Sequence, residues 1–411
     1  MKGVTTVKNI LTVITVLALF GLVACEGPAG PAGKDGAAGA TGAAGKDAGF
    51  VYFDGFKADL KCGTCHTPDG DTAKFLLARA AEYETAGHSE GTAWARGLNS
   101  TTCASCHITE GYMEMAKGNF ASQATKVYQH GTAPNCFTCH SPHANGDFDV
   151  RKKDAVNVKS FVAGVADLSF NVGSSNTCVT CHRTRETSPM TASVFVNGVS
   201  GNPDPTKTAA TDSIEIKTNR FYPHYGVQGQ ILMGKGAFEF AGYSYPSSYH
   251  TTLAGTKSIQ CADCHMSEPV VVVANKVVAG GHSLKIGYSS VSMDSANTHM
   301  NVAGCRTTGC HPSAFTANTV TNAVFAAFKQ SGQKALQDSM ASLKTLLVAK
   351  GWLDGATDLA KLTGGRLVIK PAYKAGALFN YFFLEHEGSH GMHNMQYAQA
   401  VLNASLAELR K

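Results

Sequence analysis

Apolar residues recur at helical spacing in only a few stretches of this chain. Over 73–86 (AKFLLARAAEYETA) they fall three or four apart among good helix formers, and Gly87 ends the segment. Val156, Val158, Phe161 and Val165 alternate in patches, which predicts a small hairpin within 144–175. The β-branched run Val270–Val273, followed by Gly280 and Gly281, predicts a second hairpin with His282 at its far end. From about Asn322 the rhythm turns helical. Val324, Phe325, Phe328, Leu336, Met340, Leu343 and Leu347 fit it, with a break at Ser331-Gly332. Pro371 opens a segment toward Phe383. Asn394 begins a last amphipathic helix that carries Tyr397, Val401, Leu402, Leu406 and Leu409. This C-terminal stripe is read as ordinary core packing.

Between these elements lies a different signal. Cys136-Phe137-Thr138-Cys139-His140-Ser141-Pro142-His143 holds two thiols, a histidine directly after the second, and another histidine three residues on. Cys-x-x-Cys-His is the attachment signature of c-type haem. The thiols form thioethers with the two vinyl groups of one porphyrin, and the adjoining imidazole becomes the proximal iron ligand. The spacing recurs at Cys62, Cys65, His66; at Cys103, Cys106, His107; at Cys178, Cys181, His182; and at Cys261, Cys264, His265. Cys305, Cys310 and His311 form a longer variant with four residues between the thiols. The six motifs use twelve of the thirteen cysteines and leave none for a disulfide except Cys25. A zinc ribbon pairs its Cys-x-x-Cys units but needs no histidine after each one. A redox dithiol needs no histidine there either and rarely repeats. The cofactor expected is therefore six haem c.

That expectation changes how length and charge are read. A chain of 411 residues suggests two ordinary domains. Six large apolar plates replace much of a side-chain core, and 43 glycines with 16% charged residues suit a chain that wraps cofactors. The predicted class is mainly α with much irregular coil and a few short hairpins, the haems forming the core. The formal charge of +5 omits two propionates per haem, so no nucleic-acid surface is read into it.

Lys2 and Lys8 precede an apolar run from Ile10 to Val23, too short for a comfortable membrane span, and residues 1–24 are read as a secretory signal. Leu22-Val23-Ala24-Cys25 looks like a bacterial lipobox, which makes Cys25 the lipidation site of an exported, outer-membrane lipoprotein facing the periplasm or the cell surface. A plain signal peptide with an incidental cysteine is the alternative. Residues 25–49 form a tether whose seven Gly-x-y triplets, Gly27 to Asp47, suit either a collagen stub or a flexible linker. The haem-binding region spans 50–320, and 321–411 is a helical region without a motif of its own.

Ten of the sixteen histidines are not proximal, so each haem could receive a second imidazole. His143 cannot reach the far face of its own haem, because three extended residues span only about 10 Å. It is expected to bind a neighbouring haem. His88, just past a helix end, is a candidate distal ligand. The motifs resemble those of multihaem c-type cytochromes of metal-reducing bacteria of the Geobacter kind, and more distantly pentahaem nitrite reductases and octahaem cytochromes. The likeness covers roughly 60–311 and 378–405. It rests on Ala86-Gly87-His88-Ser89, the octapeptide 136–143, Pro223-His224-Tyr225-Gly226, Tyr249-His250-Thr251, Gly280-Gly281-His282-Ser283 and Gly388-Ser389-His390-Gly391-Met392-His393. The resemblance implies distal ligation by His88, His143, His224, His250, His282 and His393. His130, His299, His386 and His390 are left over, with His299 as the first substitute. No Cys-x-x-Cys-Lys occurs, so the open catalytic haem of the nitrite reductases is not supported.

Bis-histidine iron is coordinatively saturated and changes oxidation state with little rearrangement. The expected function is electron transport by multistep tunnelling at the outer envelope, in extracellular or metal respiration, with no catalytic residues. The expected partners are redox partner cytochromes or extracellular electron acceptors, and a membrane through the lipid. The alternatives are a reductase of nitrite, hydroxylamine or a sulfur oxyanion with one open haem, and a filament-forming cytochrome subunit.

Overall fold

A computed structural model of the chain describes residues 76–118, 124–186, 190, 192–252, 259–271, 276–289, 298–307, 310–329 and 332–411. They belong to one unit, Val51–Lys411. The expected signal, Cys25, the tether and the first motif (Cys62, Cys65, His66) lie outside the described residues. No helix among the described residues is long and apolar enough to cross a membrane.

The short haem motifs lie on or begin in helices of four to seven residues: Thr101–His107, Cys136–Cys139, Ser175–Val179 and Cys261–His265. One turn brings residues i, i+3 and i+4 to one face, so two thiols and an imidazole share a side. Such short helices need help at their ends. Ser100 accepts from the Cys103 amide at 3.2 Å. Asn135 and Thr138 form a reciprocal capping box, as do Gln260 and Asp263. The longer motif begins with the 3-10 turn Gly304–Arg306, and the His311 amide still bonds back to the Cys305 carbonyl at 2.8 Å.

The helix predicted over 73–86 is described as Leu76–Tyr83, with turns beyond it. The first hairpin pairs Val156–Val158 with Leu168–Phe170. The second pairs Val270–Val271 with Val277–Ala279 and runs directly into the 3-10 turn Gly281–Ser283 that carries His282. Helices Asn322–Lys329, Gln333–Ala349, Ala375–Glu387 and Met395–Arg410 follow the C-terminal pattern.

The pattern did not reveal a four-stranded antiparallel sheet in the order Leu367–Ile369, Ile214–Ile216, Val194–Val196, Val199–Ser200. Ile214 and Ile216 are fully buried, while Glu215 points to the other face. Through this sheet the motif-free stretch after the fourth haem motif joins the C-terminal region. Both share one apolar core containing Phe221, Ile231, Phe238, Phe379, Phe383 and Tyr397. An ordinary side-chain core therefore exists beside the motif-bearing region. Buried Asn380 accepts from the Phe238 amide at 2.7 Å and donates to the Phe238 carbonyl at 2.8 Å and to Ser405 Oγ at 3.0 Å. Gly376 permits this approach, since a Cβ there would lie 2.1 Å from the Phe238 ring.

Candidate haem-binding centre

A continuous cavity of about 2780 Å³ runs through the motif-bearing part of the molecule. Of the ten described motif cysteines, all but Cys103 line it, and all ten thiols are free of disulfides. Among the described residues no three of His, Cys, Asp or Glu converge as a metal cage would require. The thiols thus face a large common space and do not gather in tetrahedral sets, which is the arrangement thioether attachment needs and a zinc ribbon lacks.

Histidines meet across this space in pairs. Ring centroids lie 6.0 Å apart for His88 and His182, and 6.3 Å apart for His140 and His282, His250 and His311, and His265 and His393. Each pair joins the histidine of one motif to a histidine from outside it. Two imidazoles bound to one metal through Nε2 at about 2.0 Å have centroids about 6.2 Å apart, because each centroid lies about 1.1 Å beyond its nitrogen. The donor set therefore fits a haem iron taken between two histidines. His224 lies in the field of His107, together with those of Arg185, His386 and Arg96. His143 lines the cavity with its ring 6.0 Å from that of Phe137.

The second nitrogen of many of these rings is held. Nδ1 of His107, His265 and His250 bonds the carbonyls of Ala93, Leu284 and Met392 at 2.9, 3.0 and 2.9 Å. His140 and His182 make longer bonds of 3.3 Å to the Asp149 carbonyl and to Gln228 Oε1. His282 bonds Glu82 Oε2 at 3.2 Å, and His393 bonds Glu387. These partners are acceptors, so Nδ1 carries the proton and Nε2 keeps its lone pair for a metal.

Burial favours the same form. Desolvation lowers the pKa values of His88, His107, His250, His265 and His282 below the ordinary range. It takes His182 to about 4, with His88 adding to the effect, and His224 to about 3, with Arg185 adding to it. Burial acts the same way on His393, but its pairing with Glu387 outweighs it and raises that group. Neutral imidazole is the form that binds metal.

The motifs also touch one another. The Cys181 thiol lies in the field of Cys106, and the Cys178 thiol in that of Cys261. Ser174 and Ser175 tie the fourth motif to the fifth: the Ser174 amide donates to Gln260 Oε1 at 2.8 Å, and the Cys261 amide to Ser175 Oγ at 2.8 Å. Cys264 lies in the field of Cys305, and Cys181 in that of Cys139.

The leftover histidines sit elsewhere or differently. His386 packs against Tyr222 and Tyr225, centroids 4.2 and 4.3 Å away. His299 stacks on Tyr288 at 5.5 Å and bonds Thr298 Oγ1 at 2.9 Å. His390 lines the cavity, and His130 is exposed. Sequence reasoning missed Glu82, Glu387 and Gln228. Glu387 stands close to His393 in sequence, which is a weak local signal. Nothing in the sequence links Glu82 to His282.

No protein-family model matches the chain, and no curated protein is significantly similar to it. Among solved structures, the chain is similar to "Crystal Structure of Outer Cell Wall Cytochrome OcwA", at 18% identity and a TM-score of 0.43 over 80% of this chain and 50% of that one. The chain spans about half the length of that protein. A likeness of this degree leaves the functional reading to rest on the chain's own residues.

Proposed function

We propose that this protein is a hexahaem c-type cytochrome that carries electrons at the bacterial envelope. The reading is carried by one observation: a motif histidine faces a second imidazole, at axial-ligand separation, in four separate pairs. When bound, haem iron supplies a reversible one-electron change. The chain's residues attach, orient and enclose it. Cys62 and Cys65, Cys103 and Cys106, Cys136 and Cys139, Cys178 and Cys181, Cys261 and Cys264, and Cys305 and Cys310 form the thioethers. His66, His107, His140, His182, His265 and His311 are the proximal ligands. The distal partners, in chain order of the motifs from the second onward, are His224, His282, His88, His393 and His250. His143 is left for the haem of His66.

Opposed imidazoles leave no site for substrate, which favours conduction over reductase chemistry. The nearness of the motifs to one another suggests a route. Motifs two, four, five and six adjoin in that order, and motif three adjoins motif four. The fourth motif is then a junction. Residues 1–24 would direct export, and lipid on Cys25 would hold the protein at the outer membrane. Its partners would be redox proteins or extracellular electron acceptors.

Spectroscopy and mass measurement on the exported protein test this. Six added porphyrin masses and a wholly low-spin ferric EPR spectrum are expected. A count well below six, or a high-spin haem that binds a small exogenous ligand, overturns it.

A further inference from the structure

Two of the proposed distal imidazoles are held by buried carboxylates. Glu82 is only 5% exposed and Glu387 only 4%, and each lies against the Nδ1 of a proposed distal ligand. Both carboxylates are aimed by other donors. The His282 amide donates to Glu82 Oε2 at 2.9 Å, and Arg79 donates to Oε1 at 2.7 Å. The Ser389 amide and hydroxyl donate to Glu387 Oε2 at 2.9 and 2.8 Å. The approach of Glu82 is built into the backbone. Gly281 has φ +49°, and a Cβ there would lie 2.5 Å from Glu82 Oε2. His250 meets a neutral carbonyl instead, and no partner is found for His224 Nδ1 among the described residues.

We infer that Glu82 and Glu387 are positioning residues that make His282 and His393 stronger donors and set the haems of the third and fifth motifs at the lowest potentials of the six. A carboxylate that accepts from Nδ1–H raises the basicity of Nε2. A more basic axial ligand stabilises ferric over ferrous iron. Burial strengthens the effect, because the charge acts through a poorly screening medium. Both low-potential centres would flank the fourth motif, at the junction of the route. An electron arriving there would meet an uphill step toward motifs three and five, while motif two, whose His224 has no such partner, would present no such step. The inference rests on the bis-histidine reading above.

The test uses the full-length holoprotein and its variants Glu82→Gln and Glu387→Gln, with the exposed Glu84→Gln and Glu385→Gln as controls. Each of the first two should move one-sixth of the reductive titration to higher potential. Each should also change one low-spin EPR signal and leave porphyrin content unchanged. The controls should titrate like the parent. Parent-like titration of both buried variants, with low-spin haems retained, overturns the inference and leaves the bis-histidine reading standing. Open or missing haems in the parent overturn that reading instead. Should a variant fold poorly, the unaltered protein still decides. Two of its six EPR signals should persist to the lowest potentials, and six haems reduced in one narrow wave count against the inference.

Discussion

The imidazoles of His265 and His393 face each other with ring centroids 6.3 Å apart. One follows a Cys-x-x-Cys pair in mid-chain, and the other stands in the glycine-rich turn before the last helix. The C-terminal region, which has no motif of its own, thereby reaches into the cavity that the motifs line.

Replacing His393 by alanine should open one haem and leave five closed. Ferric EPR should then show about one-sixth of the iron as high-spin, and carbon monoxide should bind the reduced variant at that single site. A variant that stays fully low-spin would show that another residue closes this position.

The double substitution Cys261→Ala with Cys264→Ala should remove one porphyrin mass from the exported protein. Because the fifth motif adjoins both the fourth and the sixth, it should also slow electron passage toward the sixth. Stopped-flow reduction resolves this as a lagging fraction. Unchanged mass would mean that these thiols carry no haem.

His386 gives the opposite expectation. It is packed among Tyr222, Tyr225 and Phe382. His386→Phe should keep all six haems low-spin and shift no more than the one nearest His224. A new high-spin signal would make His386 a ligand.

Asn380→Ala tests the side-chain core without touching a ligand. It would leave the buried Phe238 amide and carbonyl without their partner. Each unsatisfied group costs about 1–3 kcal/mol. Thermal unfolding followed by far-UV circular dichroism should begin several degrees lower, with porphyrin content unchanged. Phe379→Ala, at a fully buried ring, should weaken the same region by about 3–5 kcal/mol.

What the chain says about itself locally, it says clearly. Two thiols and an imidazole at i, i+3 and i+4 need only one helical turn, so the short motif is legible as a unit wherever it occurs. The C-terminal helices were legible for a similar reason, since a 3.6-residue period persists over many residues. The hairpin that ends at His282 announced itself through a β-branched run and two glycines. The resemblance to known cytochromes supplied candidate second ligands, but not their partners. Only tertiary structure brings His282 to His140, His88 to His182 and His250 to His311. Each such pairing is a contact between distant segments, and no spacing rule encodes it. The strand Leu367–Ile369 against Ile214–Ile216 was equally hidden, because three residues are too few to establish an alternation. Glu82 looked like an ordinary helix carboxylate until the fold laid it against His282, where burial and a close glycine turn its charge on an imidazole nitrogen.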